Sequence, residues 1–194
     1  MRRLYAVALC IVLILSSFSA CAGFSREERL VRRYFECLQE MDFAAAGKCL
    51  GDEEIYSGLI SDMDGTSGTD LYGRIQATYF ASFIYTRVSV RLIGCEKDGP
   101  DTLVTADVTA CDSAWITEKV TDAQLGLTES DEYLAAEPQE RYLMLCNNIP
   151  EIYMTFGDTV PTVTSRVVIR VTGTGEGMHI VPQDSLFRAI GGAK

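Results

Sequence analysis

The residue types that could do chemistry are few and scattered. The only histidine, His179, sits between Met178 and Ile180. A Ser/His/Asp or Cys/His nucleophile system would have to pass its proton through that imidazole, and no G-x-S-x-G elbow accompanies it. One imidazole also excludes multi-histidine zinc chemistry. Cys37, Cys49, Cys95, Cys111 and Cys146 are separated by 11, 45, 15 and 34 residues, so they form no C-x-x-C pair of the kind that zinc clusters and dithiol redox motifs use. They read as small buried hydrophobes, with room for one disulfide and at least one free thiol left over. Asp62, Asp64 and Asp70 share a polar loop, but Gly65 comes too early for an EF-hand and no glutamate closes it. Gly173, Gly175 and Gly177 imitate a phosphate loop, yet they lie between strand-like segments rather than before a helix. No metal and no cofactor is expected.

The most specific chemistry lies near the N-terminus. Arg2 and Arg3 precede a ten-residue apolar run, 6–15, and Ser16-Ser17-Phe18-Ser19-Ala20 is a small, polar approach to a cut site. This is the three-part layout of a secretory signal. Phe18-Ser19-Ala20-Cys21 resembles the lipobox of bacterial lipoproteins, with Phe18 where leucine is usual. The resemblance implies that the Cys21 thiol is fatty-acylated and the chain is cut between Ala20 and Cys21. Cleavage after Ala22, on the A-x-A match Ala20-Cys21-Ala22, and an uncleaved anchor over 4–24 remain as alternatives. Each puts the body outside the cytoplasm.

The expected organisation is therefore a signal peptide over 1–20, a lipid-anchored tether over 21–25, and one α+β domain over 26–192. Cutting at Cys21 leaves 174 residues with 15 basic against 27 acidic side chains, a net charge of −12. That length supports its own core without a staple. The charge repels a phosphate backbone, so no nucleic-acid partner is expected.

Ser25 and Glu28 form a capping box, and Leu30, Val31, Tyr34, Phe35, Leu38 and Met41 make one apolar stripe, so a helix is expected over 26–41 with a continuation over 46–50 after a break at Asp42. Arg26, Arg29, Arg32 and Arg33 sit close to the expected lipid, where an anionic surface would favour them, but read first as a solvated face paired with Glu27, Glu28 and Glu36. Ile55, Leu59 and Ile60 indicate a short helix. Alternation predicts a hairpin over 86–112, with Val90 opposite Val108, Leu92 opposite Ala106 and Arg91 opposite Asp107. That register closes with Glu96 facing Thr102 and keeps Cys95 and Cys111 too far apart to bridge. The segment 115–127 fits no single period. Thr128 with Asp131 is a possible cap, and a long helical stripe follows from Tyr142 to Phe156, which Pro150 should kink or split. Alternation returns over 163–172 and 178–181, and 185–190 reads as a last helical turn.

Helix, hairpin, long helix, hairpin and short helix behind a lipobox-like cysteine resemble Gram-positive surface lipoproteins with a nuclear-transport-factor-two-like, or ketosteroid-isomerase-like, body. The matching residues are 34–43 on the first helix, and Gly177-Met178-His179-Ile180 with 186–192 at the end; Met178 stands where tryptophan is frequent. The resemblance implies an N-terminal helix packed on a curved antiparallel sheet of two hairpins, cone-like, with a long helix inserted between them and a pocket on the concave side. It implies no activity, because that fold hosts enzymes and non-enzymes. An isomerase-like site would need a carboxylate in an apolar pocket, and Asp107, Asp112 and Glu118 are candidates by location alone. The expectation is a non-catalytic binding or interaction module on the extracytoplasmic face of the membrane. Its partners would be the lipid bilayer, through acylated Cys21, and an envelope protein or cell-wall ligand. A small isomerase- or hydrolase-like enzyme is the alternative.

Overall fold

The computed structural model describes residues 24–157 and 159–192, so Ala20, Cys21 and the apolar run before them lie outside the described residues. Among the described residues no helix is long and apolar enough to cross a membrane. The described residues form an α+β fold, with eight helices and an open four-stranded antiparallel sheet in the order β1-β2-β3-β4.

The sheet follows from alternation. Strands β1 (Ser89–Asp98), β2 (Asp101–Cys111), β3 (Thr162–Thr172) and β4 (His179–Ile180) turn one face to the helices. On that face Val104, Ala106, Val108, Ala110 and Ile169 are all completely buried. The other face carries Arg91, Asp107, Arg166 and the hydroxyl pair Thr109–Thr164. Val90 pairs with Val108, Arg91 with Asp107 and Leu92 with Ala106, as the alternation requires. The closure differs: a bulge between Leu92 and Gly94 slips the register by one, so Lys97 rather than Glu96 faces Thr102. Ile93 is the inserted residue, and it points half-exposed to solvent. Cys95 lies opposite Val104 and Cys111 opposite Thr162.

Helix α1 (Arg26–Gln39) opens on its capping box, Ser25 Oγ accepting from Glu28 N at 3.1 Å and Glu28 Oε2 accepting from Ser25 N at 2.8 Å. Its apolar stripe buries Val31, Tyr34, Phe35 and Leu38 in one cluster with the inner face of the sheet. Two short helices follow, α2 (Phe43–Cys49) and α3 (Ser57–Asp64), and then the longer α4 (Leu71–Tyr85). Between β2 and β3 the chain inserts α5 (Ser113–Thr128), α6 (Asp131–Ala135) and α7 (Pro138–Phe156). Of these, α5 and α7 build a second buried cluster with α4, formed by Ile84, Ile116, Val120, Ile149, Tyr153 and Phe156. Helix α8 (Asp184–Ile190) closes the chain against β2 and β3.

Two local details differ from expectation. Of a kink or a split at Pro150, the split does not occur: α7 runs unbroken through it. The ring removes one intrahelical donor, but Ile149, Ile152 and Tyr153 are held in the second core on either side. Thr128 does not cap the next helix; its hydroxyl donates back to Leu125 O at 2.8 Å, and Ser130 caps α6 by accepting from Tyr133 N at 3.2 Å.

Candidate functional site

The sharpest local feature is the corner between α1 and α2. Helix α1 ends in a paired closure, with Met41 N donating to Leu38 O at 3.0 Å and Asp42 N donating to Cys37 O at 2.8 Å. This is a Schellman motif, whose pivot is left-handed and normally glycine. The pivot here is Met41, at φ 57°, the one non-glycine residue with positive φ among the described residues. Asp42 then starts α2, its side chain accepting from Ala45 N at 3.0 Å. One residue thus ends one helix with its backbone and opens the next with its carboxylate.

The corner forms one wall of an open groove of about 440 Å³, lined by Met41, Asp42, Phe43 and Ala44, by Ile60, Met63 and Asp64 of α3, and by Thr78 of α4. Its floor is apolar, with carboxylates at two points of its lining. The Asp64 carboxylate accepts from Thr66 Oγ1 at 2.7 Å and Thr66 N at 2.8 Å, and these bonds hold its pKa below the ordinary carboxylate range. It is an anion there, not a proton shuttle.

Behind the floor lies an aromatic cluster. The Phe43 ring packs on Tyr85 at 5.1 Å and on Tyr56 at 5.5 Å, and the Tyr56 and Tyr34 hydroxyls share a hydrogen bond of 2.7 Å. Burial pushes the pKa of both phenols, and of Tyr85, upward, so they stay protonated. Tyr34 is completely enclosed and Tyr56 nearly so. The pair is a packed strut rather than a mouth open to substrate.

The carboxylates singled out for an isomerase-like site do not come together. Asp107 lies on the outer face of the sheet, accepting from Arg91 at 2.6 Å and Arg166 at 2.8 Å. The Arg166 hydrogen bond, seconded by Arg91, draws its pKa down to about 2. Asp112 caps α5 by accepting from Trp115 N at 3.0 Å. Glu118 stands on the exposed side of α5 beside Lys119, at 3.5 Å. Lys119 also lines a more polar cleft of about 570 Å³ between α5 and α7, where Asp122 and Glu151 stand.

The three acids expected in one polar loop are instead split, Asp62 and Asp64 on α3 and Asp70 at the start of α4, each with a separate task. Asp62 accepts from Thr69 Oγ1 at 2.9 Å, Asp64 holds Thr66, and Asp70 caps α4 by accepting from Gly73 N at 2.9 Å. No group of three or more His, Cys, Asp or Glu is poised for a metal among the described residues. His179 bonds Gly177 O through Nδ1 at 3.0 Å, and its ring covers Gly51 so closely that any Cβ there would collide with it. Gly51 also has φ +67°, so both the turn and the imidazole require glycine.

At the opposite end of α1, Lys97 Nζ bridges Glu27 Oε1 at 2.8 Å and Thr102 Oγ1 at 2.7 Å. Of the basic residues on α1, Arg32 stacks on Phe24 at 3.7 Å, Arg29 donates to Phe24 O at 2.6 Å, and Arg33 pairs with Glu36 and Glu40.

Sequence reasoning missed the groove because its lining comes from three helices with no shared spacing. One signal was present. The helix-ending segment Gln39-Glu40-Met41-Asp42-Phe43 contains no glycine where a helix reverses, and a non-glycine pivot there marks stored strain. Compared with family models, with curated proteins and with solved structures, the chain matches none.

Proposed function

We propose that the protein is a membrane-anchored extracytoplasmic lipoprotein, tethered through acylated Cys21, whose α+β body is a non-catalytic binding module. Its ligand enters the groove at the α1–α2 corner. The observation that carries this reading is the groove's composition: Met41, Phe43, Ile60 and Met63 offer an apolar bed, and Asp42 and Asp64 stand among them. That arrangement suits an apolar group ending in a cation or a hydrogen-bond donor, as on an envelope protein segment or a cell-wall peptide. A carboxylate held as an anion by hydrogen bonds recognises charge better than it exchanges protons.

The layout also fits a tether. Phe24, three residues from Cys21, leads into α1 beside the β1–β2 turn, where Glu27 meets Lys97. The groove lies past the other end of α1, whose 14 residues at about 1.5 Å each span roughly 20 Å. A bilayer at the first end leaves the groove facing outward.

Two measurements test the reading. Intact mass of the protein recovered from native membranes should show Cys21 as a lipidated first residue; an uncut start, or Gly23 leading without lipid mass, overturns the tether. Heteronuclear NMR titration of the body with hexylammonium and with hexanoate should shift Met41, Phe43, Ile60 and Met63 with the amine and not the acid. Equal response to both, or response elsewhere, overturns the groove. The buried Tyr34–Tyr56 pair is the one feature that favours the enzyme alternative, and it would serve that reading only if a substrate could reach a phenol.

A further inference from the structure

The corner that builds the groove also brings two thiols together. Cys37 lies in the last turn of α1 and Cys49 is the last residue of α2. The reversal at Met41 and Asp42 folds α2 back against α1, so that Cys37 and Cys49 meet in one buried cluster, each close enough to perturb the other's thiol. Cys37 is completely buried and Cys49 is 8% exposed, both within the core shared with the sheet. The other cysteines are placed apart: Cys95 is exposed on β1, Cys111 ends β2 in the second core, and Cys146 is buried on α7. Among the five cysteines of the described residues the fold thus selects one pair.

We propose that Cys37 and Cys49 are an intramolecular disulfide pair that links α1 to α2 and fixes the corner between them. The oxidant is a small-molecule or protein disulfide. The Cys49 thiolate, the more accessible of the two, attacks one sulfur of that disulfide and expels its first thiolate, leaving a mixed disulfide on Cys49. The Cys37 thiolate then attacks the Cys49 sulfur and expels the second. Two protein thiols are oxidised, one external disulfide is reduced to two thiols, and the two protons pass to the released thiolates. Because both sulfurs are shielded, the exchange proceeds in the folding chain or during local opening of the corner. Export, as proposed above, supplies the oxidising surroundings in which such a bond persists, but the selection of the pair rests on the folded body alone.

The test is peptide mapping of the full-length protein, refolded in glutathione disulfide and glutathione, alkylated without reduction and digested with trypsin. Cleavage after Arg33, Lys48 and Arg74 puts the two cysteines on separate peptides, 34–48 and 49–74. The expected product is those two peptides joined and lighter by two hydrogens, with Cys95, Cys111 and Cys146 alkylated. For a loop of this length the crosslink should lower the unfolding equilibrium constant on the order of a hundredfold relative to reduced protein. Folded protein with Cys37 and Cys49 both alkylated, or with either joined to another cysteine, overturns the proposal. Mapping acid-quenched cells separates this from the export reading: a pair that forms in the glutathione buffer but is reduced in cells counts against export and leaves the pairing intact.

Discussion

Arg166 Nε lies 2.8 Å from Asp107 Oδ1, directly across the β2–β3 ladder, and Arg91 reaches the other oxygen of the same carboxylate from β1 at 2.6 Å. Three strands are therefore clasped by one aspartate, on the face that no helix among the described residues covers. The two guanidiniums, rather than apolar burial, hold its pKa at about 2.

That clasp predicts acid lability. A carboxylate with a depressed folded-state pKa stabilises the fold above its unfolded value of about 3.9 and loses the contribution as pH falls through the folded value. Glu27, drawn to about 2 chiefly by the Lys97 hydrogen bond, acts in the same window. Thermal melts should show stability falling between about pH 4.5 and pH 2. Asp107→Asn should melt below wild type at pH 7, and the gap should close as pH approaches 2. A gap that persists undiminished at pH 2 would mean that the asparagine disturbs packing rather than charge.

The strained pivot predicts an inverted glycine effect. Met41→Ala and Met41→Gly remove the same side-chain contacts beyond Cβ, but only glycine relieves the left-handed backbone at φ 57°. Urea denaturation should find Met41→Gly more stable than Met41→Ala by about 1 kcal/mol, against the usual ranking of the two residues. Both should weaken hexylammonium binding, because both remove one side of the groove. The outcome would identify Met41 as retained for what it touches and not for what it stabilises.

How much of this was legible depends on the length scale of each signal. The capping box at Ser25 and Glu28, and the pairing of Arg91 with Asp107, are local patterns, and the fold keeps both. The bulge at Ile93 is not local in that sense: strict alternation runs correctly to Leu92, and one inserted residue then shifts every later pair. Helix α4 went unread because Leu71, Tyr72, Ile75, Tyr79, Phe80, Phe83 and Ile84 spread around most of the helix and leave a narrow polar strip at Arg74, Thr78 and Ser82; it is held between α3, α7 and β2. Met41, Phe43, Ile60 and Met63 meet only through tertiary packing, so no spacing could have joined them into a groove.

Buried thiols predict the alkaline limit. Desolvation raises the Cys49 pKa to about 11, with the neighbouring Cys37 adding to the shift. In reduced protein the exposed Cys95 should therefore react first with iodoacetamide at neutral pH. Cys49 should follow slowly, its rate climbing about tenfold per pH unit while the thiol form dominates. The folded state holds that proton more tightly than the unfolded one, so stability should be intact below about pH 8.5 and lost as pH rises toward 11. Rates measured by mass spectrometry at several pH values would check this, and a pH-independent Cys49 rate would point to opening of the α1–α2 corner as the limiting step.

The phenol pair behind the groove separates a strut from a catalytic device. Tyr34→Phe leaves the Tyr56 hydroxyl without its 2.7 Å partner in a nearly dry site, and Tyr56→Phe does the same to Tyr34. Each single change should cost about 1–3 kcal/mol, the penalty for stranding a buried hydroxyl. The double phenylalanine variant strands neither group, so it should cost less than the sum of the two, with a coupling on the order of 1 kcal/mol in a double-mutant cycle. A strut also predicts that hexylammonium binding survives the double change, since the Phe43 ring keeps its packing against Tyr85. If the singles add without coupling, the hydroxyls are not one another's partner in solution. If the double variant folds but loses all groove binding, a phenol reaches the ligand, and the pair belongs to the site rather than to the wall behind it.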